Sequence, residues 1–461
     1  MKRIGIIGAG FSGIMTAVNL INKSDSSTEI FIFEKENPIA KGIAYSPYSK
    51  KQLLNVPSAK MSAFKDLPDH FFSWTKSLDQ YKDVDDSILA GAFLPRYLYG
   101  QYLEFVWNEA LATAKSKSIQ VKILRSNIID MVKKDSEIEL ISDNGEVFVV
   151  DYCVLATGNL VPRNQSIENM DFYESENYFQ NPWKIESVEN LNKNENVLII
   201  GNGLTMVDTV LALQERNFKG MIYSISPNGY HILSHRHAPI KYNKLVEELP
   251  EEIDLKTIRN LIVKHVRSVR KLGVSAEPVI DSLRPFSQNI WKNFSINDKR
   301  EFLRKYRHAW GVARHRIPIH MNDFLLKLMF SIKLKVFAGA IKSLKEDNGI
   351  IEVSFLEKNS KTMEKIFVSR VINCTGPESN IKLSDSQLLK NCLEKGIITQ
   401  DEFYLGFNAD PKNYELVGKN GEVQRNIFTL GTNLKGIFWE STAVNELRSQ
   451  AENLANYISQ N

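Results

Sequence analysis

The strongest constraint in this chain is one pattern written twice. Near the start, an apolar strand (Ile4, Ile6, Ile7) runs into Gly8-Ala9-Gly10-Phe11-Ser12-Gly13 and then into a helix carrying Ile14, Ala17, Val18 and Leu20. Near mid-chain, Val197-Leu198-Ile199-Ile200 runs into Gly201-Asn202-Gly203-Leu204-Thr205-Met206 and a helix through Leu211 and Leu213. Strand, glycine turn and helix in that order suit a dinucleotide. The first glycine permits the tight turn, the second lets backbone approach a pyrophosphate, and the third lets helix pack closely on strand. The helix N-terminus then faces the phosphates. In the first copy the next apolar run, Glu29-Ile30-Phe31-Ile32-Phe33, ends at Glu34, where an acid can accept hydrogen bonds from a ribose, with Lys35 beside it. In the second copy Met206 replaces the third glycine, and the next strand runs into Ser226-Pro227-Asn228-Gly229 without acid or arginine. The candidate cofactor-binding residues are therefore Gly8, Gly10, Phe11, Ser12, Gly13, Glu34 and Lys35 in the first copy, and Gly201, Gly203 and Thr205 in the second.

Two further apolar strands share an ending: Cys153-Val154-Leu155-Ala156-Thr157-Gly158 and Val371-Ile372-Asn373-Cys374-Thr375-Gly376. Each returns the chain to a nucleotide-binding sheet at a tight turn, which adds Thr157 and Gly158 to the candidates. From Leu249 to Lys305 the sequence is charged and helical in period, with Ile253, Leu255, Ile258, Leu261, Ile262 and Val266 along one face. Two fingerprints imply two dinucleotides, the simplest pair being a tightly held FAD and a transient NAD(P)H that passes hydride to it. The expected fold is α/β, with two three-layer Rossmann-like dinucleotide-binding domains. The FAD domain is split (1–165 and 366–461), and the NAD(P)H domain (190–365) is inserted within it, with a helical insertion at about 245–325.

The rest of the composition excludes more than it selects. With 461 residues, 43% hydrophobic and 24% charged, the chain is neither disordered nor fibrous, and no low-complexity tract or long flexible linker divides it. A net charge of +4 is too small to point to nucleic acid or a membrane surface. No apolar run reaches membrane-spanning length, and Gly8, Gly10 and Gly13 interrupt what could pass for a secretory signal, so a cytoplasmic protein is expected. Cys153, Cys374 and Cys392 show no Cys-x-x-Cys spacing, which argues against a disulfide framework and against the usual disulfide reductase.

Beyond the two turns, the chain carries Gly42-Ile43-Ala44-Tyr45-Ser46, Leu53-Leu54-Asn55-Val56-Pro57 with Met61-Ser62, and Pro95-Arg96-Tyr97-Leu98-Tyr99-Gly100. Later come Ile280-Asp281-Ser282-Leu283-Arg284-Pro285, Trp310 followed by Arg314-His315-Arg316, and Gly436-Ile437-Phe438-Trp439-Glu440-Ser441-Thr442-Ala443. In these blocks, spread over essentially the whole length, the chain resembles the two-dinucleotide flavoproteins that include FAD-dependent urate hydroxylase and aspartate N-monooxygenase. The resemblance implies FAD held by Gly8, Gly10, Gly13 and Glu34, with Asn55 and the Gly431-Thr432-Asn433 turn near the flavin, and NAD(P)H held by Gly201, Gly203 and Thr205. It implies a monooxygenase that forms a flavin hydroperoxide and oxygenates a small polar, anionic molecule with dioxygen. The reaction is N-hydroxylation of an amino acid-like amine or hydroxylation of a purine-like ring. Pro227-Asn228 stands where the family often has an Arg-rich stretch, and Ala313 where a histidine commonly precedes Arg-His-Arg, so NADH and NADPH both remain open.

Asn55 is the candidate catalytic donor, or else only caps the turn before Val56-Pro57. His231, His235, His237, His308, His315 and His320 interleave with Arg236, Arg304, Arg307, Arg314 and Arg316. Such a field either anchors an anionic substrate, with His237, Arg314 and Arg316 as the candidates, or is a solvated basic face; no metal is expected there. The aromatics Phe64, Phe71, Phe72, Trp74, Phe438 and Trp439 read first as core, Trp439 being the one to watch near the flavin. The competing functions are an NAD(P)H oxidase or reductase serving a diffusible acceptor, and a nucleotide-binding sensor without turnover.

Overall fold

Lys2–Ile7 is a strand because its apolar run is β-branched and short, and it is buried along most of its length because parallel strands lie on both sides of it. The computed structural model describes every residue except His237 and Pro239. The chain divides into two units, Met1–Leu160 with Glu378–Asn461, and Val161–Pro377.

The first unit has a six-stranded sheet in the order Glu415–Val417, Val423–Thr429, Tyr152–Leu155, Lys2–Ile7, Thr28–Phe33, Gln120–Leu124. All neighbours are parallel except the first pair. On one face, helix Phe11–Lys23 packs against Arg96–Ser116 and Val444–Gln460. The other face is covered by a small antiparallel sheet of Ile128–Lys133, Ile138–Ser142 and Val147–Val150. Phe148 from that sheet lies edge-on to Phe33 at 5.1 Å. Gly5 leaves the room that Leu140 fills, since a Cβ there would come within 2.8 Å of Leu140 Cδ1. Helices, parallel sheet and antiparallel sheet make three layers.

The second unit has a seven-stranded sheet ordered Met363–Val368, Ile350–Glu357, Leu334–Asp347, Ile222–Ser226, Val197–Ile200, Arg370–Asn373, Tyr178–Phe179. It is parallel from Leu334–Asp347 to Tyr178–Phe179, and an antiparallel meander beyond. Between Ile222–Ser226 and Leu334–Asp347 the chain is largely helical, from Lys244–Glu247 to Ile319–Phe330. In helix Leu255–Lys271 the buried face is Leu255, Ile258, His265 and Val269, with Leu261, Ile262 and Val266 at its margin.

The unit boundaries differ from the expected ones. The strand Arg370–Asn373 pairs with Val197–Ile200 in the second unit's sheet, so the return to the first unit comes at Glu378 and not at 366. The outward crossing comes at Leu160 and not 165, and the second unit starts well before 190 because Tyr178–Phe179 is its edge strand.

Two glycines of the first turn are required by the protein itself. Gly8 has φ +106°, and a Cβ on it would lie 2.2 Å from the Ala156 carbonyl oxygen. A Cβ on Gly13 would lie 2.0 Å from the Gly8 carbonyl oxygen. Gly10 differs: its backbone is extended (φ −75°, ψ −169°), and the nearest atom to a Cβ there would be Gly42 Cα at 3.7 Å. Gly13→Ala should therefore destabilise the apoprotein by about 2–3 kcal/mol, while Gly10→Ala should stay within ~1 kcal/mol of wild type. Urea denaturation of the two variants checks this.

Candidate functional site

The second turn repeats the geometry of the first. Gly201 also has φ +106°, and its Cβ would lie 2.5 Å from the Cys374 carbonyl oxygen. Gly203 is extended like Gly10 (φ −94°, ψ −168°), is exposed, and has nothing within 4 Å of a Cβ. Each turn thus has one glycine forced by a neighbouring strand and one that the protein leaves open. Gly10 and Gly203 are the N-caps of helices Phe11–Lys23 and Leu204–Glu215, and neither cap has a side-chain bond, so the first-turn N–H groups have no capping side chain and suit an anion. These cradles fit a pyrophosphate, which needs close backbone approach.

Around the first turn, Glu34 is buried and accepts from its surroundings. Its Oε2 takes the Ala9 N–H at 3.0 Å, and its Oε1 takes Glu36 N–H, Asn37 N–H and Asn37 Nδ2 at 2.9–3.2 Å. The carboxylate therefore ties the glycine turn to the end of strand Thr28–Phe33, with Oε2 keeping capacity for a further donor. Lys35 is exposed and pairs with Glu36 at 3.0 Å. Phe11 points inward, against Tyr45 and Tyr99, so only its backbone faces the turn. Burial pushes the Tyr45 phenol up to about 12 and raises Tyr99 well above the ordinary phenol value, leaving both neutral behind the turn. A segment quoted in the sequence without a role closes over Gly10: Ala40 N–H donates to Ala9 O at 2.9 Å, and Gly42 lies beside Gly10.

The C-terminal part of the same unit meets this turn. Gly431 (φ +78°) leaves room for Ser12 Oγ, which would lie 3.3 Å from a Cβ there. Asn433 Nδ2 donates to Thr157 Oγ1 and Thr429 Oγ1, both at 3.1 Å, and Thr432 Oγ1 donates to Gly158 O at 3.0 Å. Ser12, Thr157, Gly158 and Asn433 are thereby brought together around one strand end. Asn55 is half-buried in a segment pinned to residues 92–96 through Leu54 N–H to Leu94 O, Ser58 N–H to Ala92 O and Arg96 N–H to Gln52 O. Trp439 is half-buried at the centre of a γ-turn (φ 60°, ψ −60°) closed by Glu440 N–H to Phe438 O at 2.7 Å, with Lys435 Nζ 5.3 Å from its ring centroid. That backbone costs on the order of 1–3 kcal/mol.

In the second unit Thr205 is the second helical residue, half-buried one turn before Thr209, whose Oγ1 donates to its carbonyl. Asn202 Nδ2 donates to Tyr230 O, holding the loop after Ile222–Ser226 against the turn. Met206 is accommodated because it faces a crevice of about 30 Å³ shared with Leu325, Met329, Leu334 and Val336. The basic field is partly neutralised. Arg316 is buried and ion-paired with Asp281, and Arg236 donates to Ser275 and lies 4.0 Å from Glu277. Ser234 bridges to Ile317, so the His235 segment does lie beside Arg316. Arg314 is half-buried at the end of helix Arg307–Arg314; His237 lies outside the described residues. The spent charge of Arg316 favours a structural part for it over substrate capture. Sequence reasoning missed His265, which is buried between Tyr242 Oη (2.6 Å) and Glu248 (3.3 Å), because a histidine on an apolar helical face carries no signal of its partners. Among the described residues no three His, Cys, Asp or Glu side chains converge as metal ligands, and no helix is long and apolar enough to cross a membrane.

Residues 5–160 match the family model NAD_binding_9, described as FAD-NAD(P)-binding. The matched stretch lies within the first unit, which is thus similar over that length to FAD-NAD(P)-binding domains. A curated relative, the uncharacterized protein YdhS of Escherichia coli K12, is 26% identical over 255 residues, 51% of this chain and 43% of that protein. The matched stretch is thus less than half of the relative's length. Among solved structures, L-lysine 6-monooxygenase from Pseudomonas syringae is 14% identical with a TM-score of 0.68, covering 100% of this chain and 99% of that one. The ornithine N-hydroxylase of Kutzneria sp. 744, a complex with reduced FAD, NADP+ and L-ornithine, is 13% identical with a TM-score of 0.66 over 99% and 98% of the chains. At these identities the likeness establishes the fold alone: mixed α/β, with parallel sheets in Rossmann-like units.

A carboxylate at either open glycine would collide with and repel a pyrophosphate. Gly10→Glu should purify without FAD absorbance. Gly203→Glu should stay yellow and no longer be reduced by NAD(P)H. A yellow Gly10→Glu protein, or normal reduction of Gly203→Glu, would remove the corresponding assignment.

Proposed function

We propose that this protein is an FAD-dependent, NAD(P)H-using monooxygenase that N-hydroxylates a small polar amine. The observation that carries the reading is the pair of open glycines, Gly10 and Gly203, each in a turn whose first glycine is made obligatory by a carbonyl at the end of a neighbouring strand. Two such cradles in one chain suit one retained and one exchanged dinucleotide. The flavin, when bound, supplies the redox chemistry, taking hydride from the nicotinamide and delivering one oxygen atom of dioxygen. The balance is R–NH2 + O2 + NAD(P)H + H+ giving R–NHOH + NAD(P)+ + H2O.

In this reading Gly8, Gly10 and Gly13 shape the FAD pyrophosphate site and Glu34 Oε2 takes a ribose hydroxyl. Asn433, fixed by Thr157 and Thr429, and Asn55 offer donors toward the flavin. The second turn, with Thr205, receives the nicotinamide dinucleotide. The choice of an amine over a purine-like ring is supported by the lysine and ornithine monooxygenases that share the fold along the full chain. Disulfide exchange is disfavoured by the thiols. All three cysteines are buried, and burial pushes Cys374 and Cys392 up to about 12 and Cys153 well above the ordinary thiol value, so none supplies a thiolate near neutral pH. The reaction's further expectations, a soluble cytoplasmic enzyme with no macromolecular partner, belong to the same proposal.

The test is coupling. With NADPH or NADH, dioxygen and a panel of diamines and basic amino acids, one amine should yield a hydroxylamine stoichiometric with the nucleotide consumed, with little hydrogen peroxide. Nucleotide oxidation that yields only peroxide with every amine would replace this reading with that of an NAD(P)H oxidase.

A further inference from the structure

The two units can be laid over one another through their own hydrogen bonds. In the first, Gly8 N–H donates to Phe33 O at 2.8 Å, and the next residue is Glu34. In the second, Gly201 N–H donates to Ile225 O at 2.8 Å, and the next residue is Ser226. Ser226 therefore stands in the second unit where Glu34 stands in the first. An acid at this place accepts from a ribose diol and repels a phosphate on it. A serine carries no charge to repel that phosphate. Ser226 Oγ accepts the Gly229 N–H at 3.1 Å, which leaves its hydroxyl proton available to donate.

A cation reaches the same spot from far along the chain. Lys358 Nζ donates to Asn228 Oδ1 at 2.8 Å. Its backbone is held there, because Lys358 N–H donates to Ala338 O at 2.8 Å while Ser226 is the strand partner of Ala338. Gly229 (φ +60°) packs on the same residue, where a Cβ would come within 2.9 Å of Ala338 Cβ. Ser226, Asn228, Gly229 and Lys358 thus gather around Ala338 at the carboxyl end of strand Ile222–Ser226, the end at which open parallel sheets take ligands. The neighbouring carboxylate, Glu357, is engaged by Ser360 N–H and Asn359 Nδ2 within the hairpin turn.

We propose that Lys358, positioned by Asn228 and joined by Ser226, reads the 2′-phosphate of the adenosine ribose, so that the second unit takes NADPH in preference to NADH. The inference rests on the reading of the Gly201 turn as a nucleotide site. It replaces the missing arginine of that loop with a lysine delivered by the hairpin after Ile350–Glu357. The ammonium has three donors, one used on Asn228, and serves a phosphate as a point charge.

The experiment is equilibrium binding of 2′,5′-ADP and of 5′-AMP to the FAD-loaded protein, by calorimetry. Wild type should bind 2′,5′-ADP about tenfold or more tightly than 5′-AMP, with the gap narrowing at high salt. Lys358→Ala should weaken 2′,5′-ADP about tenfold and leave 5′-AMP unchanged; Ser226→Glu should reverse the preference. Equal wild-type affinities, or a Lys358→Ala variant that weakens both ligands alike or neither, would overturn the proposal and leave the nucleotide site standing. If neither ligand binds and neither NADPH nor NADH reduces the flavin, the site itself falls and the proposal with it.

Discussion

A backbone carbonyl pressed against a glycine sets the geometry of both units. The Ala156 oxygen occupies the space beside Gly8, and the Cys374 oxygen occupies the space beside Gly201, so neither turn can carry a side chain at its first position. With the strands locked that closely, each following helix must start at Gly10 or Gly203 with its first N–H groups unspent. In a folded protein such groups are costly to leave without water or a partner. A diphosphate supplies a partner that matches both charge and spacing, which is why the open glycines carry more weight than the forced ones.

The two halves of this design were not equally legible. The first turn is local: strand, three glycines, helix and terminal acid lie within 34 residues, and the strands and helix stand where residue type places them. The seam between the units was misplaced because Val371-to-Gly376 carries the same strand-Thr-Gly ending as Cys153-to-Gly158, and only long-range pairing with Val197–Ile200 assigns it to the second sheet. The sequence places Ser226 directly after the second strand and shows that acid and arginine are absent there; the Gly201-to-Ile225 hydrogen bond pairs Ser226 with Glu34, and the lysine that reaches this strand end comes from far along the chain. Met206 looked like a flaw in the second fingerprint. It lines a small crevice together with Leu325 and Met329 of a helix more than a hundred residues away, a juxtaposition that no local pattern encodes.

Charge was the least readable feature. A run of histidines and arginines suggests an anion site when only their number is known, yet Arg316 finds Asp281 and Arg236 finds Ser275 and Glu277. Buried guanidinium groups are kept only when such partners are present, so the acids of helix Glu277–Ser282 turn part of a basic field into internal structure. The cation that does reach a strand end beside a glycine turn, Lys358, lies outside that field altogether.

The central claim is that one chain holds two dinucleotides and passes hydride between them. Anaerobic titration of the purified yellow protein with NADPH, followed at the flavin's visible band, tests it most directly. The account predicts complete bleaching at one equivalent per flavin, with the colour restored by air. A flavin left oxidised by excess NADPH and NADH alike would contradict it.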